Sequence, residues 1–523
     1  MEIVESFKSK VIKYYVELIC FISVLTIAIY NLYNGFLHED AYILFHYTEN
    51  LSQHGIIAFD HTVGPAEGAT DFLWMLLIGI IQIFKVDPGF TAALLNSLGA
   101  ALLANAFLNI STNKNIWTRL TVFLLVVFGS YTAAAIGGFS ALFYVGIYSQ
   151  CLIVAIYGLV NRTIYLCLIL ALIRPDGVIL SVGIILGLIL TEKIKRGSYK
   201  HLAFAFLIGS IYFIWRLSYF GELLPLPLII KSQSSTFLPG WYPNIKALYI
   251  FIPGLFIIAI WAKRFDWNKI VLLSLPAFIL FLALLFAKQS QNIALRFQAP
   301  IIVSVLLIFW SFNKKIKLIA VLPFLIYGLR FDVLNTESLS SKQYIDSFPY
   351  YLQRSFKFDK DDHLAFSEAG RFAYFTKGKR MDLVGLNTLE IAKKGLNKDI
   401  LKEYGPDLIF VHQASMYDID IEPIEKFVML NREEFFAKVS LKNIDALLPV
   451  GQAPYISYIY VKNVERFSRV FIVKYSGYNY NHVYFLTSSI DSKKFRLALT
   501  KSFSQPLRGH CSTSNLFPCN VGS

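Results

Sequence analysis

Charge is scarce in this sequence. Asp, Glu, Lys and Arg make up 16% of its 523 residues, against about 25% in soluble domains, which excludes a water-soluble enzyme as the reading of the whole chain. Disorder is excluded on the opposite ground, because a chain that is 55% hydrophobic has ample apolar surface to bury. Cysteine is scarce as well: there are five, at no spacing that resembles a zinc site. Cys20, Cys151 and Cys167 fall in apolar runs and read as packing residues, whereas Cys511 and Cys519 would pair only in an oxidising compartment. Internal repeats and low-complexity segments are lacking. Acids are outnumbered, 35 against 49 Lys and Arg, yet the resulting charge of +14 is no nucleic-acid signature. Most of these cations sit in short clusters between apolar runs, where they set the topology of a membrane protein.

What is abundant is apolar sequence at membrane length. A bilayer core takes about 17 to 25 residues per helix, and clear runs lie at 14–36, 90–110, 118–136, 141–160, 202–219, 247–262, 269–287, 298–312 and 316–333, with shorter ones at 71–86, 163–174 and 177–191. The first run lacks a small-residue cleavage site and reads as an anchor. Three basic clusters (Lys193, Lys195, Arg196 and Lys200; Lys263, Arg264 and Lys269; Lys314, Lys315 and Lys317) and the N-terminal Lys8, Lys10 and Lys13 belong on the cytoplasmic side. An inside start and an outside end require an odd number of crossings, about eleven helices. One short run therefore fails to span: 71–86 as a re-entrant or interfacial segment, or alternatively 163–174. The expected fold is a polytopic α-helical membrane module over 1–334, with a first external loop at 37–70. A soluble extracytoplasmic α/β domain follows over 335–523, with strands near Tyr455 to Val461 and Val470 to Lys474.

The first external loop opens on His38-Glu39-Asp40-Ala41-Tyr42 and closes on Glu67-Gly68-Ala69-Thr70-Asp71-Phe72-Leu73-Trp74. Adjacent acids at a helix exit are costly unless solvated or paired, and here they open a loop that ends in two further carboxylates, Glu67 and Asp71. Arg174-Pro175-Asp176-Gly177 joins two apolar runs with no loop to spare, either as a turn whose Arg and Asp pair or as part of a site. Tyr219-Phe220-Gly221-Glu222-Leu223-Leu224-Pro225, then Lys231, and later Arg296-Phe297 follow. The threading puts Arg174, Lys231 and Arg296 on the side of Asp40. A single arginine at a helix end snorkels to headgroups, but three cations beside a carboxylate loop point to a bound anion, and the anion at this depth is a lipid phosphate. Tyr42, Trp74 and Trp241 are either an interfacial aromatic belt or platforms for sugar rings. In the tail, Tyr475, Tyr478, Tyr480 and Tyr484 read as strand packing or a turn, or alternatively as the lining of a glycan groove. Asp359, Asp361 and Asp362 read as a solvated loop without calcium-site spacing, and His363, His412 and His482 as scattered, with no ligand set.

In this order the pieces resemble the terminal arabinofuranosyltransferase-like branch of the GT-C membrane glycosyltransferases, which includes the LphB-like proteins. Glu368-Ala369-Gly370, Tyr374, Asp382-Leu383-Val384-Gly385-Leu386-Asn387 and Pro406-Asp407-Leu408-Ile409 are similar to motifs of the same family, so the resemblance runs from residue 37 to residue 412. It implies an inverting enzyme of the bacterial cytoplasmic membrane. Such an enzyme takes a sugar from a polyprenyl-phosphate donor and delivers it to a periplasmic or exterior glycan, lipid or protein. By position the acid of the first loop is Asp40, with Glu39 beside it. Arg174, Lys231 and Arg296 would meet the donor phosphate. Glu67, Asp71, Trp74, Tyr42 and Asp176 are candidates for substrate contact, Glu67 and Asp71 equally for holding the loop. No cofactor and no metal are expected, since Arg and Lys can meet the leaving phosphate.

Two departures bear on which sugar and acceptor are used. Gly137-Gly138-Phe139-Ser140-Ala141-Leu142-Phe143 lacks the glutamate of the family's corresponding motif, and Asp71 stands where the family has Asn. Competing readings are a transporter or flippase of lipid-linked saccharides, for which pseudo-repeated halves would be expected, a GT-C oligosaccharide ligase or polymerase, and a receptor with a sensory tail.

Overall fold

The structure is a computed structural model. It describes residues 14–33, 37–111, 114–232, 238–249, 266–289, 292–311, 348–356, 358–412, 417–421, 426–442, 449–475 and 480–504. The expected run at 316–333, most of the run at 247–262, Lys8, Lys10, Lys13, Lys263, Arg264, Lys314, Lys315, Lys317, Tyr478, Cys511 and Cys519 lie outside the described residues, as do the side chains of Lys231, Tyr475 and Tyr480.

A backbone in lipid must satisfy its polar groups internally, and the apolar runs accordingly fold as helices. Among the described residues, Tyr15–Tyr33, Pro88–Ile110, Arg196–Phe220 and Trp267–Leu285 are long and apolar enough to cross a membrane, and Ile116–Val127 with Ser130–Ile136 is a pair bent by 46° that makes either one broken span or a re-entrant loop. Shorter apolar helices cover Phe72–Gln82, Ala141–Ile156, Val160–Ile173, Asp176–Leu190 and Ala299–Trp310. Phe72–Gln82 has 11 residues, a rise of about 16 Å against a hydrocarbon core of about 30 Å. The expected loop 37–70 is not all loop, since Glu39–His54 is a helix.

Burial separates the centre of the helical module from its rim. The apolar window of Pro88–Ile110 is 72% buried, whereas that of Arg196–Phe220 is 6% buried and presents its side chains outward. At the centre, Pro88–Ile110 and Ala141–Ile156 approach backbone to backbone through glycines. A Cβ on Gly99 would lie 2.3 Å from the Leu142 carbonyl oxygen, and one on Gly146 would lie 2.5 Å from that of Gly99. Small residues at such crossings permit the van der Waals contact that joins helices in lipid.

The tail contains eight described strands: β1 (His363–Phe366), β2 (Lys379–Asp382), β3 (Leu408–Val411), β4 (Tyr417–Ile419), β5 (Phe427–Asn431), β6 (Val439–Leu441), β7 (Phe467–Tyr475) and β8 (Tyr480–Thr487). Six make one mixed sheet in the order β2-β1-β3-β8-β7-β5; β1 pairs parallel with β2 and β3, and β3 pairs antiparallel with β8. The strand expected at Val470 to Lys474 lies within β7. The one expected at Tyr455 to Val461 is instead part of the helix Pro449–Asn463. Its buried residues include Ala453, Ser457, Tyr458, Tyr460 and Val461, which recur at three- and four-residue spacing, so one helical face meets the sheet and overrides the β-propensity of the run.

The tail docks on the first loop. The Arg371 N–H donates to Glu39 Oε1 at 2.8 Å and its Nη2 to the Leu37 carbonyl at 2.7 Å; the Arg380 N–H donates to Asp60 Oδ2 at 2.6 Å. Tyr47 donates from its hydroxyl to Asn387 Oδ1 at 3.1 Å and accepts from the Gly68 N–H at 3.0 Å. Asn387 is in turn held by the buried Asp382, which accepts from its backbone and side-chain nitrogens at 2.9 Å each. Gly68 leaves no room here: a Cβ would stand 2.0 Å from Asn387 Oδ1 and 2.8 Å from the Leu386 carbonyl. Gly68→Ala is therefore expected to destabilise the docked form by about 1 to 3 kcal/mol through overpacking. The check is thermal unfolding and limited proteolysis of detergent-purified protein. Gly209→Ala, where nothing lies within 4 Å, should leave both unchanged.

Candidate active site

Asp40 sits in the first turn of the helix Glu39–His54, where the positive end of the helix favours acids. His38 caps that helix, its Nδ1 accepting from the Asp40 N–H at 3.1 Å. The His38 N–H donates to the Gly137 carbonyl at 3.0 Å. Gly138, at φ +92°, lets the turn close on Ala41, whose methyl would be 2.8 Å from an added Cβ. This places Phe139 beside the helix start, its ring 5.3 Å from that of His38.

Arg296 lies over the Phe139 ring, its guanidinium 3.8 Å from the ring centroid and its Nη2 3.5 Å from Asp40 Oδ2. The ion pair is loose, and the Asp40 side chain keeps 27% of its surface exposed. Arg296 follows a single helical turn, Ile293–Leu295, in which Ala294 and Leu295 take φ of +50° and +57°. Non-glycine residues in that region carry strain that the surroundings must over-determine. A buried amide network does so: Asn292 Nδ2 donates to Gln298 Oε1 at 2.7 Å, and Gln298 Nε2 to Asn244 Oδ1 at 2.8 Å.

Arg174 ends the helix Val160–Ile173. Preceding Pro175, it is extended, at φ −146° and ψ 151°, as the proline ring requires. The next helix starts at Asp176, and Gly177 packs so closely on the first helix that a Cβ would lie 2.1 Å from the Leu170 carbonyl oxygen. Arg174 donates from Nε to Asp176 Oδ1 at 2.9 Å and from Nη2 to Oδ2 at 3.3 Å. Its guanidinium lies 5.5 Å from the Phe297 ring, and that of Arg296 lies 5.2 Å from the same ring. Arg296 is within electrostatic reach of Asp40, Arg174 and Asp71, and Arg174 of Asp176 and Asp71. Asp71 accepts from Ser140 Oγ and from Thr70 Oγ1. Asp40, Asp71, Asp176, Arg174 and Arg296 thus form one group around Phe139 and Phe297.

The remaining sequence candidates stand elsewhere. Glu67 receives both Nε and Nη2 of Arg216, which also donates to the carbonyls of Glu222 and Leu223 at 3.3 and 3.0 Å. The Glu67 carbonyl accepts from the Leu226 N–H at 3.1 Å. These bonds fasten the segment leading to Lys231 onto the first loop. Burial pushes the Glu67 carboxyl above the usual carboxylate range, more than Arg216 offsets. Glu39 faces the tail, at Arg371. Trp74 is 0% exposed, its ring 5.7 Å from that of Phe143. Tyr42 is 2% exposed, under the Arg371 guanidinium at 4.9 Å. Both rings are enclosed by protein. Lys231 belongs to the helix Leu226–Ser232.

Sequence reasoning quoted Phe139, Ser140 and Phe297 within motifs without giving them a role, and passed over Arg216 and Arg371. Arg216 carried a signal, being an arginine within an apolar run, where a charge implies a partner. Arg371 carried another in directly following the Glu368-Ala369-Gly370 motif. The histidines taken as scattered are not all so: His412 and His482 meet, with His412 Nδ1 2.7 Å from His482 Nε2, and Glu368 joins them at 3.2 Å from His412 Nε2.

Chemically, the group around Phe139 offers a partly exposed carboxylate beside guanidiniums, an arrangement suited to accepting a proton next to a site that holds an anion. A family model described as a domain of unknown function (DUF8728) matches residues 348–471. No curated protein matches the chain by sequence. Two crystal structures are similar in fold: ArnT from Cupriavidus metallidurans in the apo state, with a TM-score of 0.50, and ArnT from the same organism bound to undecaprenyl phosphate, with a TM-score of 0.51. Each is 10% identical to this chain and the alignment covers 80% of it and 94% of the ArnT chain, so the likeness is one of fold.

Proposed function

We propose that this protein is an inverting glycosyltransferase of the GT-C type that moves a sugar from a polyprenyl-phosphate donor to an extracytoplasmic glycan, lipid or protein. The observation that carries the reading is the approach of Asp40 to Arg296, 3.5 Å apart, with Arg174 at the same Phe297 ring. Residues distant in sequence thereby bring an accessible base and anion-binding groups to one place. The undecaprenyl phosphate in one of the ArnT structures supports the donor class, and the sequence resemblance supports the inverting chemistry.

Inversion is a single in-line displacement. Asp40 takes the proton of the acceptor hydroxyl while the anomeric carbon gains oxocarbenium character and the bond to the phosphate oxygen breaks. Charge accumulates on the leaving phosphate, where pre-placed guanidiniums stabilise it more than they stabilise the bound donor, and that difference lowers the barrier. Arg296, loosely held by Asp40, and Arg174, held from one edge by Asp176, meet this charge, and the sequence resemblance assigns Lys231 to the same phosphate. Asp71 and Ser140 line the same group. The donor's isoprenoid tail stays in the hydrocarbon, which accounts for a site at the ends of membrane helices.

Sidedness follows from the other end of the same framework. The helix Ala141–Ile156 begins beside Phe139 and ends at carbonyls of Ala155 and Ile156 that accept from Lys193 Nζ at 3.1 and 2.7 Å. The basic segment Lys193, Lys195, Arg196 and Lys200 therefore lies a helix length from the site, which supports the reading, by the positive-inside rule, that the site and the tail face outward from the bacterial cytoplasmic membrane.

Asp40→Asn is expected to lower transfer by about 10²- to 10⁴-fold, the usual contribution of a general base, while leaving expression, insertion and undecaprenyl phosphate binding intact. The assay is purified protein with a panel of polyprenyl-phosphate sugars, products being read by mass spectrometry; transfer at the wild-type rate would eliminate Asp40 as the base. Arg174→Ala and Arg296→Ala should each reduce turnover by about 10²- to 10³-fold and weaken undecaprenyl phosphate binding in native mass spectrometry. Unchanged binding in both variants would defeat the phosphate assignment.

A further inference from the structure

Strand register brings three potential metal ligands into one row at an end of the tail sheet. Phe366 of β1 pairs with Phe410 of β3, and Phe410 pairs with Tyr484 of β8. Side chains two residues apart on a strand share a face. The continuation of each strand beyond this aromatic row therefore places Glu368, His412 and His482 side by side on the same face. Their nearest ligand atoms all lie within 4.8 Å of one another. His412 stands between the other two, 2.7 Å from His482 and 3.2 Å from Glu368.

We propose that Glu368, His412 and His482 bind a divalent transition metal, zinc by preference, at the joint between the tail and the membrane module. Two imidazoles and a carboxylate form a donor set that suits zinc, with water completing the coordination. In a tetrahedral site with bonds of about 2.0 Å, ligand atoms stand about 3.3 Å apart; since His412 here faces His482 with Nδ1 and Glu368 with Nε2, metal binding turns its ring so that one nitrogen serves the shared ion. The backbone is braced as well. The Ser367 N–H donates to the Phe410 carbonyl at 2.9 Å, and the His412 N–H donates to Ser367 Oγ at 2.6 Å.

The metal is a clip rather than part of the transfer chemistry. Glu368 begins the turn that ends at Arg371, whose N–H and guanidinium hold Glu39 and the Leu37 carbonyl. Cross-linking Glu368 to β3 and β8 stiffens that turn and, through it, the start of the helix bearing Asp40.

The test uses full-length protein, purified in detergent with a histidine-free tag, stripped with chelator and titrated with Zn²⁺ or Co²⁺ alone, so its outcome does not depend on glycosyl transfer. About one Zn²⁺ per chain should bind and raise the unfolding temperature, and Co²⁺ should give the visible absorption of a low-coordinate nitrogen and oxygen site. His412→Ala should lose stoichiometric binding. Glu368→Gln, a near-isosteric change at a partly exposed position, should keep the fold and weaken binding by about tenfold or more. His363→Ala, whose imidazole contacts the Tyr404 carbonyl instead, should bind as wild type. Absence of stoichiometric zinc from wild type, with unfolding indifferent to metal and chelator, would overturn the proposal in favour of a metal-free hydrogen-bonded row. Wild-type affinity in both His412→Ala and Glu368→Gln would overturn it equally.

Discussion

The helix that carries Asp40 begins where Arg371 holds it. Arg371 is 7% exposed, and a guanidinium taken that far from water must be matched by acceptors or aromatic faces. It finds the Leu37 carbonyl and the Tyr42 ring, both at the helix start, while its own N–H occupies Glu39. Arg371 is positioned by the turn that leaves β1, and that turn by the pairing of β1 with β3. A chain of backbone registers in the tail thus determines where a membrane-boundary helix starts. Neighbouring residues on a helix point about 100° apart. With Glu39 committed to the tail, Asp40 is turned toward Arg296. The two acids, equivalent in sequence, are distinguished by which domain each one faces.

The legible part of the sequence was the part dictated by solvent. Lipid forces apolar runs into helices, so spans could be read from hydropathy alone, as in Pro88–Ile110 and Trp267–Leu285. The change of texture toward the tail marked a second kind of domain for the same reason. Local steric signals were also readable, and the turn at Arg174-Pro175-Asp176-Gly177 is tight because Pro175 and Gly177 leave no other option. Helix against strand was not readable at Tyr455 to Val461, where alternating aromatics satisfy both patterns and the neighbouring sheet decides.

The candidate site was legible as residue types and illegible as geometry. Asp40 and Arg296 meet across most of the membrane module, and no local period encodes that approach. Tyr42 and Trp74 look alike in sequence to any exposed interfacial aromatic, but the fold surrounds both. Glu67 and Asp71 look equivalent within the first loop. Arg216 draws one into a buried ion pair, while Ser140 draws the other toward Phe139. His412 and His482 appear remote until the antiparallel pairing of β3 with β8 aligns them.

The two departures from the resembled motif pattern prove to be neighbours. Phe139, where that pattern has a glutamate, is followed by Ser140, and Ser140 donates to Asp71, which stands where the pattern has an asparagine. The loss of one carboxylate and the gain of another occur at adjoining positions, so the local charge is kept while its location shifts by a side chain. Phe139 then offers the Arg296 guanidinium an aromatic face at 3.8 Å in place of a formal counter-charge, a weaker hold that leaves more of the cation's field unspent. Asp176 grips Arg174 from one edge, and Asp40 touches Arg296 only loosely. On the proposed function, a phosphate reaching Arg296 would compete with one long ion pair and one aromatic face, whereas at Arg174 it would meet a guanidinium already bound through two nitrogens to Asp176. On that reading, Arg296 would be the cation more easily transferred from protein to ligand, and its departure from Asp40 would leave the carboxylate free to accept a proton.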